Sequence, residues 1–210
     1  MPATDVVDLR TALARTEPLP GLHAWTAPEP VPLWLELEAQ LQRQLEPPFW
    51  AHAWPGSLAL ARHLLQRALP GVHVLDFGCG GGLAGIAAAR QGARVEANDL
   101  DLLALEATQL NARANGVSVT VTADDRVGAD EGWQLVLVGD VFYEAPLVAR
   151  LVPWLDGLVA RGAEVLVGDP GRQFLPKARV DFVEAHGVSC LAAWDSVSDR
   201  PATVWRWRRP

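Results

Sequence analysis

From residue 72 onward the sequence predicts an α/β protein built on a doubly wound, seven-stranded, mostly parallel Rossmann-like sheet. Three observations carry that expectation. Strand-like and helix-like segments alternate at short intervals. The strand-like segments, such as VHVLDF and WQLVLVGD, are uninterrupted apolar runs, as expected of strands covered on both faces. The first of them runs straight into a glycine cluster and an alanine-rich helix, VLDFGCGGGLAG at residues 74–85.

Residues 1–47 read as an N-terminal extension. A helix is expected over Asp5–Thr16, a proline-punctuated stretch over Pro18–Pro32, and a helix over Leu33–Leu45 stopped by Pro47-Pro48. Residues 48–210 read as one domain. SLALARHLLQRAL places Leu58, Ala61, Leu64, Leu65 and Leu69 at helical spacing. VHVLDF is a strand, GGLAGIAAARQG a helix ended by Gly92, and ARVEAND a strand. LDLLALEATQLNARANG is a helix closed by Asn115-Gly116, and VSVTVTAD a third strand. WQLVLVGD, a helix kinked or broken at Pro153, AEVLVGDP, and a helix over KARVDFVEAHG follow. VSCLAAW and PATVWRWR close the chain as two strands with no helix between them, hence an antiparallel hairpin. Seven strands in this order resemble the class I S-adenosylmethionine-dependent methyltransferase fold.

Composition narrows the function classes. Half of the 210 residues are hydrophobic, enough for one good core. Mean hydropathy is +0.09, and no apolar run approaches the ~20 residues of a membrane span. The opening residues do not read as a secretory signal. Two cysteines, Cys79 and Cys190, make neither a disulfide framework nor a metal cluster, and a reducing cytoplasm is the expected setting. Net charge is −7, so the broad basic field of a nucleic-acid binder is lacking. Lys177 is the only lysine. The scattered histidines suggest no metal site.

The glycine cluster fits two registers. Gly80, Gly82 and Gly85 match the dinucleotide pattern G-x-G-x-x-G. Asp76, Gly78, Gly80 and Gly82 match acid-x-G-x-G-x-G. A dinucleotide brings a pyrophosphate to this turn, and a carboxylate is badly placed for that anion. S-adenosyl-L-methionine has no phosphate and carries a cationic ammonium and sulfonium, which suit Asp76. Asp99 closes the second strand, where a carboxylate can accept bonds from both ribose hydroxyls. Asp124 is a candidate for the adenine amino group and Leu100 for packing on the ring. An NAD(P) oxidoreductase, and a glycine turn that merely lets strand and helix pack, stay open at this point.

Three stretches address the acceptor. LVGDVFYE, residues 137–144, resembles the D-x-x-Y motif of seven-strand protein lysine methyltransferases, with Asp140 and Tyr143 in the motif positions. PFWAHAWPGSLALARHLL, residues 48–65, and VLVGDPGRQF, residues 165–174, resemble the electron transfer flavoprotein β-subunit lysine methyltransferases. TVW at Thr203–Trp205 resembles them too. The resemblance covers residues 48–210. It implies S-adenosyl-L-methionine as cofactor and the electron transfer flavoprotein β-subunit as protein substrate; charge and hydropathy point to no nucleic-acid or membrane partner. It implies Asp140 and Tyr143 as catalytic residues, and Trp54 packed against the cofactor.

Transfer from sulfonium to amine asks mainly for alignment of a neutral amine with the donor. Asp140 can hold that amine; its competing role is to cap the helix beginning near Ala145. Asp169 and Arg172 are expected to form an ion pair shaping the substrate loop. Ribosomal-protein lysines or a small amine are alternative acceptors, and a cofactor-binding module without activity is a further alternative.

Overall fold

Residues 14–26, expected as helix and broken coil, form an antiparallel hairpin. The computed structural model describes residues 9–187 and 201–209. A short helix α1 (Leu9–Ala12) leads into β1 (Ala14–Leu19) and β2 (Leu22–Thr26), paired from Ala14↔Thr26 to Leu19↔Leu22. Pro20-Gly21 joins them, with Gly21 at φ 72°, the position a Pro-Gly turn reserves for glycine. Helix α2 (Pro30–Leu41) starts three residues earlier than its apolar pattern suggested, because prolines are tolerated in a first turn whose N–H groups lack partners anyway. Helix α3 (Pro55–Leu64) follows a 3₁₀ turn over Phe49–Ala51.

The core alternates as expected: β3 (His73–Phe77), α4 (Leu83–Arg90), β4 (Arg94–Asn98), α5 (Leu102–Ala114), β5 (Thr120–Thr122), β6 (Leu135–Gly139), α6 (Ala145–Arg161) and β7 (Glu164–Asp169). Then come β8 (Val180–His186) and β9 (Ala202–Trp207). The sheet order is β5-β4-β3-β6-β7-β9-β8, with β9 antiparallel to both neighbours and the first five strands parallel. The doubly wound sheet with a terminal antiparallel hairpin is therefore borne out.

The strand that pairs with β9 is not the expected one. The sequence predicts a helix over residues 177–187, yet Val180–His186 is strand β8. Its register shifts between Phe182 and Glu184, so the alternation that marks a strand is broken within seven residues. Pairing with β9 decides the conformation, and no local pattern encodes it. VSCLAAW, the other expected hairpin strand, lies outside the described residues. Helix α6 runs unbroken through Pro153, which lies on its exposed face, as does Ala149 four residues earlier.

Successive strand residues serve opposite faces. Val74, Leu135, Leu137, Leu166 and Val204 pack under α3 and α4. Leu75, Val136, Val138, Val165 and Val167 pack under the Leu151/Trp154/Leu155/Leu158 stripe of α6. Each fully buried aliphatic side chain is worth about 1.5–3 kcal/mol, so this double layer fixes which strand ends share an edge. No described helix is long and apolar enough to cross a membrane.

Candidate active site

The sheet order reverses between β3 and β6, and the carboxyl ends of these two strands flank the crevice where ligands bind in such folds. On the β3 side, Gly78, Gly80 and Gly82 all take positive φ, 61°, 52° and 75°. At Gly82 a Cβ would lie 2.6 Å from Thr108 Cγ2, so both conformation and space demand glycine. Thr108 Oγ1 donates to the Gly80 carbonyl at 2.8 Å and Asn111 Nδ2 to the Gly81 carbonyl at 2.8 Å, so α5 clamps the loop.

Two carboxylates shape this half. Asp76 is 3% exposed, and its Oδ2 accepts the Gly85 N–H at 2.8 Å, in the first turn of α4. Burial pushes its carboxyl up to about 7, against the Gly85 bond and with help from Asp99. Asp99 accepts from Gly80 N at 2.9 Å and Asp101 N at 3.0 Å, and burial raises its carboxyl also. Neither forms an ion pair with a described residue; their partners are backbone N–H groups. Leu100 beside them is 68% exposed. Asp124, exposed at the end of β5, accepts from Thr122 Oγ1 at 3.1 Å, and its carbonyl accepts from Asn98 Nδ2 at 2.8 Å.

On the β6 side the strand gives way to Asp140, whose φ of 58° is unusual for a residue with a side chain. Its carboxylate is 8% exposed. Oδ2 accepts the Ser57 N–H at 2.9 Å in the first turn of α3, and Oδ1 accepts from Arg172 Nη2 at 3.0 Å. Burial raises its carboxyl to about 6; Arg172 and the Ser57 bond oppose the rise, and Asp169 adds to it. The Arg172 guanidinium also lies 5.4 Å from the centre of the Trp54 ring, within cation–π range. Trp54 Nε1 donates to the Phe49 carbonyl at 2.6 Å, and the ring meets Phe49 and His52 edge-on. Gly56 and Gly168 let α3 meet β7: a Cβ on Gly56 would sit 2.1 Å from the Gly168 carbonyl oxygen. The three stretches that carried the resemblance thus meet at one carboxylate. Tyr143 stands beyond, 55% exposed, its phenol raised by partial burial first and then by Glu144 and Asp99.

A family model described as ribosomal protein L11 methyltransferase (PrmA) matches residues 57–167, more than half of the chain. The chain belongs to the PrmA methyltransferase family. It is 44% identical over 171 residues to the zebrafish (Danio rerio) electron transfer flavoprotein beta subunit lysine methyltransferase, covering 76% of this chain and 66% of that one. It is 31% identical over 175 residues to the Caenorhabditis elegans homolog of that enzyme, covering 74% and 70%. The resemblance read from PFWAHAWPG, GDVFYE and GDPGR is borne out. The chain spans between half and two thirds of the length of the vertebrate relatives it matches. Among solved structures, the Pyrococcus abyssi tRNA (uracil-54, C5)-methyltransferase in complex with S-adenosyl-L-homocysteine superposes with a TM-score of 0.58 at 15% identity, over 94% of this chain and 44% of that one. At that identity the likeness speaks for the fold.

This PrmA-family chain gathers the expected residues in two groups at one sheet edge. Asp76, Gly78, Gly80, Gly82, Asp99 and Leu100 cluster beyond β3 and β4, with Asp124 at the neighbouring end of β5. Trp54 stands on the Asp140 side, against Arg172. Asp140 does not cap α6, whose first turn has no side-chain cap; it caps α3 instead. Asp169 Oδ1 holds the backbone N–H of Gly171 and Arg172, and the Arg172 guanidinium donates to Asp140. Sequence reasoning missed Ser57, Thr108 and Asn111. Thr108, Asn111 and Asn115 stand at i, i+3 and i+7, a polar stripe on an otherwise Leu/Ala helix face, and that was the available signal.

Proposed function

We propose that this protein is an S-adenosyl-L-methionine-dependent protein lysine N-methyltransferase acting on the β-subunit of electron transfer flavoprotein. The observation that carries the reading is the pairing across one crevice of two kinds of carboxylate. Asp76, buried, and Asp99, half-buried, are acids met only by backbone donors. Asp140 is a third acid reached by all three family stretches. The first pair fits a cationic ligand and opposes a pyrophosphate, which weighs against a dinucleotide. The names of the zebrafish and nematode relatives supply the substrate.

Bound S-adenosyl-L-methionine would supply an electrophilic methyl group on a cationic sulfur. Asp76 and Asp99 would hold its positive and hydroxyl-bearing parts, with Leu100 against the ring and Asp124 near the amino group. The glycine backbone would line the methionine end, and Trp54 would close it from the acceptor side. Asp140 would accept the N–H bonds of the lysine ε-amine and fix its lone pair toward the methyl, alignment being worth several kcal/mol. Tyr143 would wall the channel by which that lysine arrives. The protein would act in the cytoplasm.

The test is to incubate the protein with folded electron transfer flavoprotein and labelled S-adenosyl-L-methionine and locate label by mass spectrometry. Methylated lysine on the β-subunit is expected. Label confined to ribosomal proteins or small amines would replace the substrate, and NADH binding without S-adenosylhomocysteine binding would remove the whole reading.

A further inference from the structure

Arg172 belongs to the GDPGR stretch and is placed with unusual care. Asp169 Oδ1 accepts its N–H and that of Gly171, both at 2.6 Å, and Gly171 takes φ 93°, so the turn delivering Arg172 is fixed from β7. Its guanidinium is mostly buried, bonded to Asp140 Oδ1 and lying over Trp54. Asp140 is held just as firmly, by its own N–H on the Gly168 carbonyl at 2.9 Å and by the Ser57 N–H on its other oxygen. Two separate turns thus converge on one ion pair at the acceptor end of the crevice.

We propose that Arg172 is a positioning residue for the acceptor amine: it holds Asp140 as an oriented anion while cancelling enough charge that the amine, not the ammonium, is retained there. This rests on the reading of Asp140 as the group that holds the acceptor. A buried carboxylate without a cation takes up a proton, and a protonated carboxyl no longer attracts an amine. The groups facing Asp140 are the Arg172 guanidinium and the Asp169 carboxylate from the β7 side and the Ser57 N–H from α3. Arg172 is the one cation among them. A lysine ammonium arriving at an ion pair gains less than at a bare carboxylate, so it releases its proton to solvent more readily. The neutral amine then attacks the methyl, the carbon–sulfur bond breaks with its electrons on sulfur, and the product is a methylated ammonium. A carboxylate oxygen has two lone pairs, so Asp140 can serve Arg172 and the amine together.

The experiment compares wild type, R172M, R172K and D140N by two readouts. The first is the carbon-13 titration of the Asp140 carboxyl, assigned by its disappearance in D140N, and it needs no substrate. R172M should raise the Asp140 titration by about one to three pH units, and R172K should keep it near the wild-type position. The second is the pH profile of lysine methylation. Its acid limb should move up with the titration in R172M, with kcat at neutral pH down about 100-fold and KM changed far less. R172K should restore the limb and part of the rate. An unmoved titration in R172M overturns the proposal, as does a rate loss that follows melting temperature with the limb in place. Should R172M not fold, R172K decides alone: an Asp140 titration displaced by a full unit there overturns it. Failure of the substrate assignment leaves the carboxyl titration readable, so the two failures are distinct.

Discussion

Asp76 and Asp140 sit at the carboxyl ends of adjacent parallel strands, and each caps the first turn of a helix that it does not begin. Both are buried and both are pushed above the ordinary carboxylate range. They differ in company. Asp76 has a backbone N–H and a second acid, Asp99, nearby; Asp140 has a backbone N–H, a second acid, Asp169, and the cation of Arg172. A buried acid beside another acid is a site built for a ligand that brings positive charge. Where a resident cation offsets part of that charge, less is left for a guest to neutralise, and the seat suits one that arrives neutral. On the function proposed above, one crevice would offer two chemically distinct seats.

The largest effect expected from breaking this contrast is at Asp140. D140N should cut methyl transfer by about 100- to 1,000-fold while leaving S-adenosylhomocysteine affinity nearly unchanged by calorimetry. The melting point should fall as well, because the same carboxylate caps α3 and partners Arg172. Gly168→Ala comes next. Its Cβ would lie 2.0 Å from the Gly56 carbonyl oxygen, backbone against backbone, and the cost should be about 3 kcal/mol or more in denaturant unfolding.

Asp76 gives a pH signature that Asp140 shares over a narrower range. Its carboxyl rises from an ordinary 3.8 to about 7, so the folded chain binds more protons than the unfolded one between those values. Its contribution to stability therefore falls as pH rises through that window, and D76N should gain on the wild type over the same range, by a few kcal/mol on the order of the linkage. Cation binding beside Asp76 should expel its proton: calorimetry of S-adenosyl-L-methionine binding in buffers of different ionisation enthalpy should read about half a proton released at pH 7, and none in D76N. The smallest effect is at Asn115, which accepts from His23 N–H and donates to its carbonyl and bonds neither acid. Asn115→Ala should cost about 1–2 kcal/mol and speed hydrogen exchange over residues 14–26 with turnover largely kept.

By itself the sequence determined the alternating core, because uninterrupted apolar strands and a glycine-opened helix depend on near neighbours along the chain. It also singled out Asp76, Asp99 and Asp140, acids at the ends of apolar runs where a parallel sheet puts its ligands. Tertiary structure decided the rest, for a common reason: the partners are distant in sequence and no local pattern records them. Val180–His186 became a strand through pairing with β9, past a register shift that hides its alternation. Residues 14–26 became a hairpin fastened by Asn111 and Asn115, about ninety residues away. Asp140 found its helix eighty-three residues upstream at Ser57 and its cation thirty-two downstream at Arg172, and only packing α3 onto β7 through Gly56 and Gly168 brings the three together.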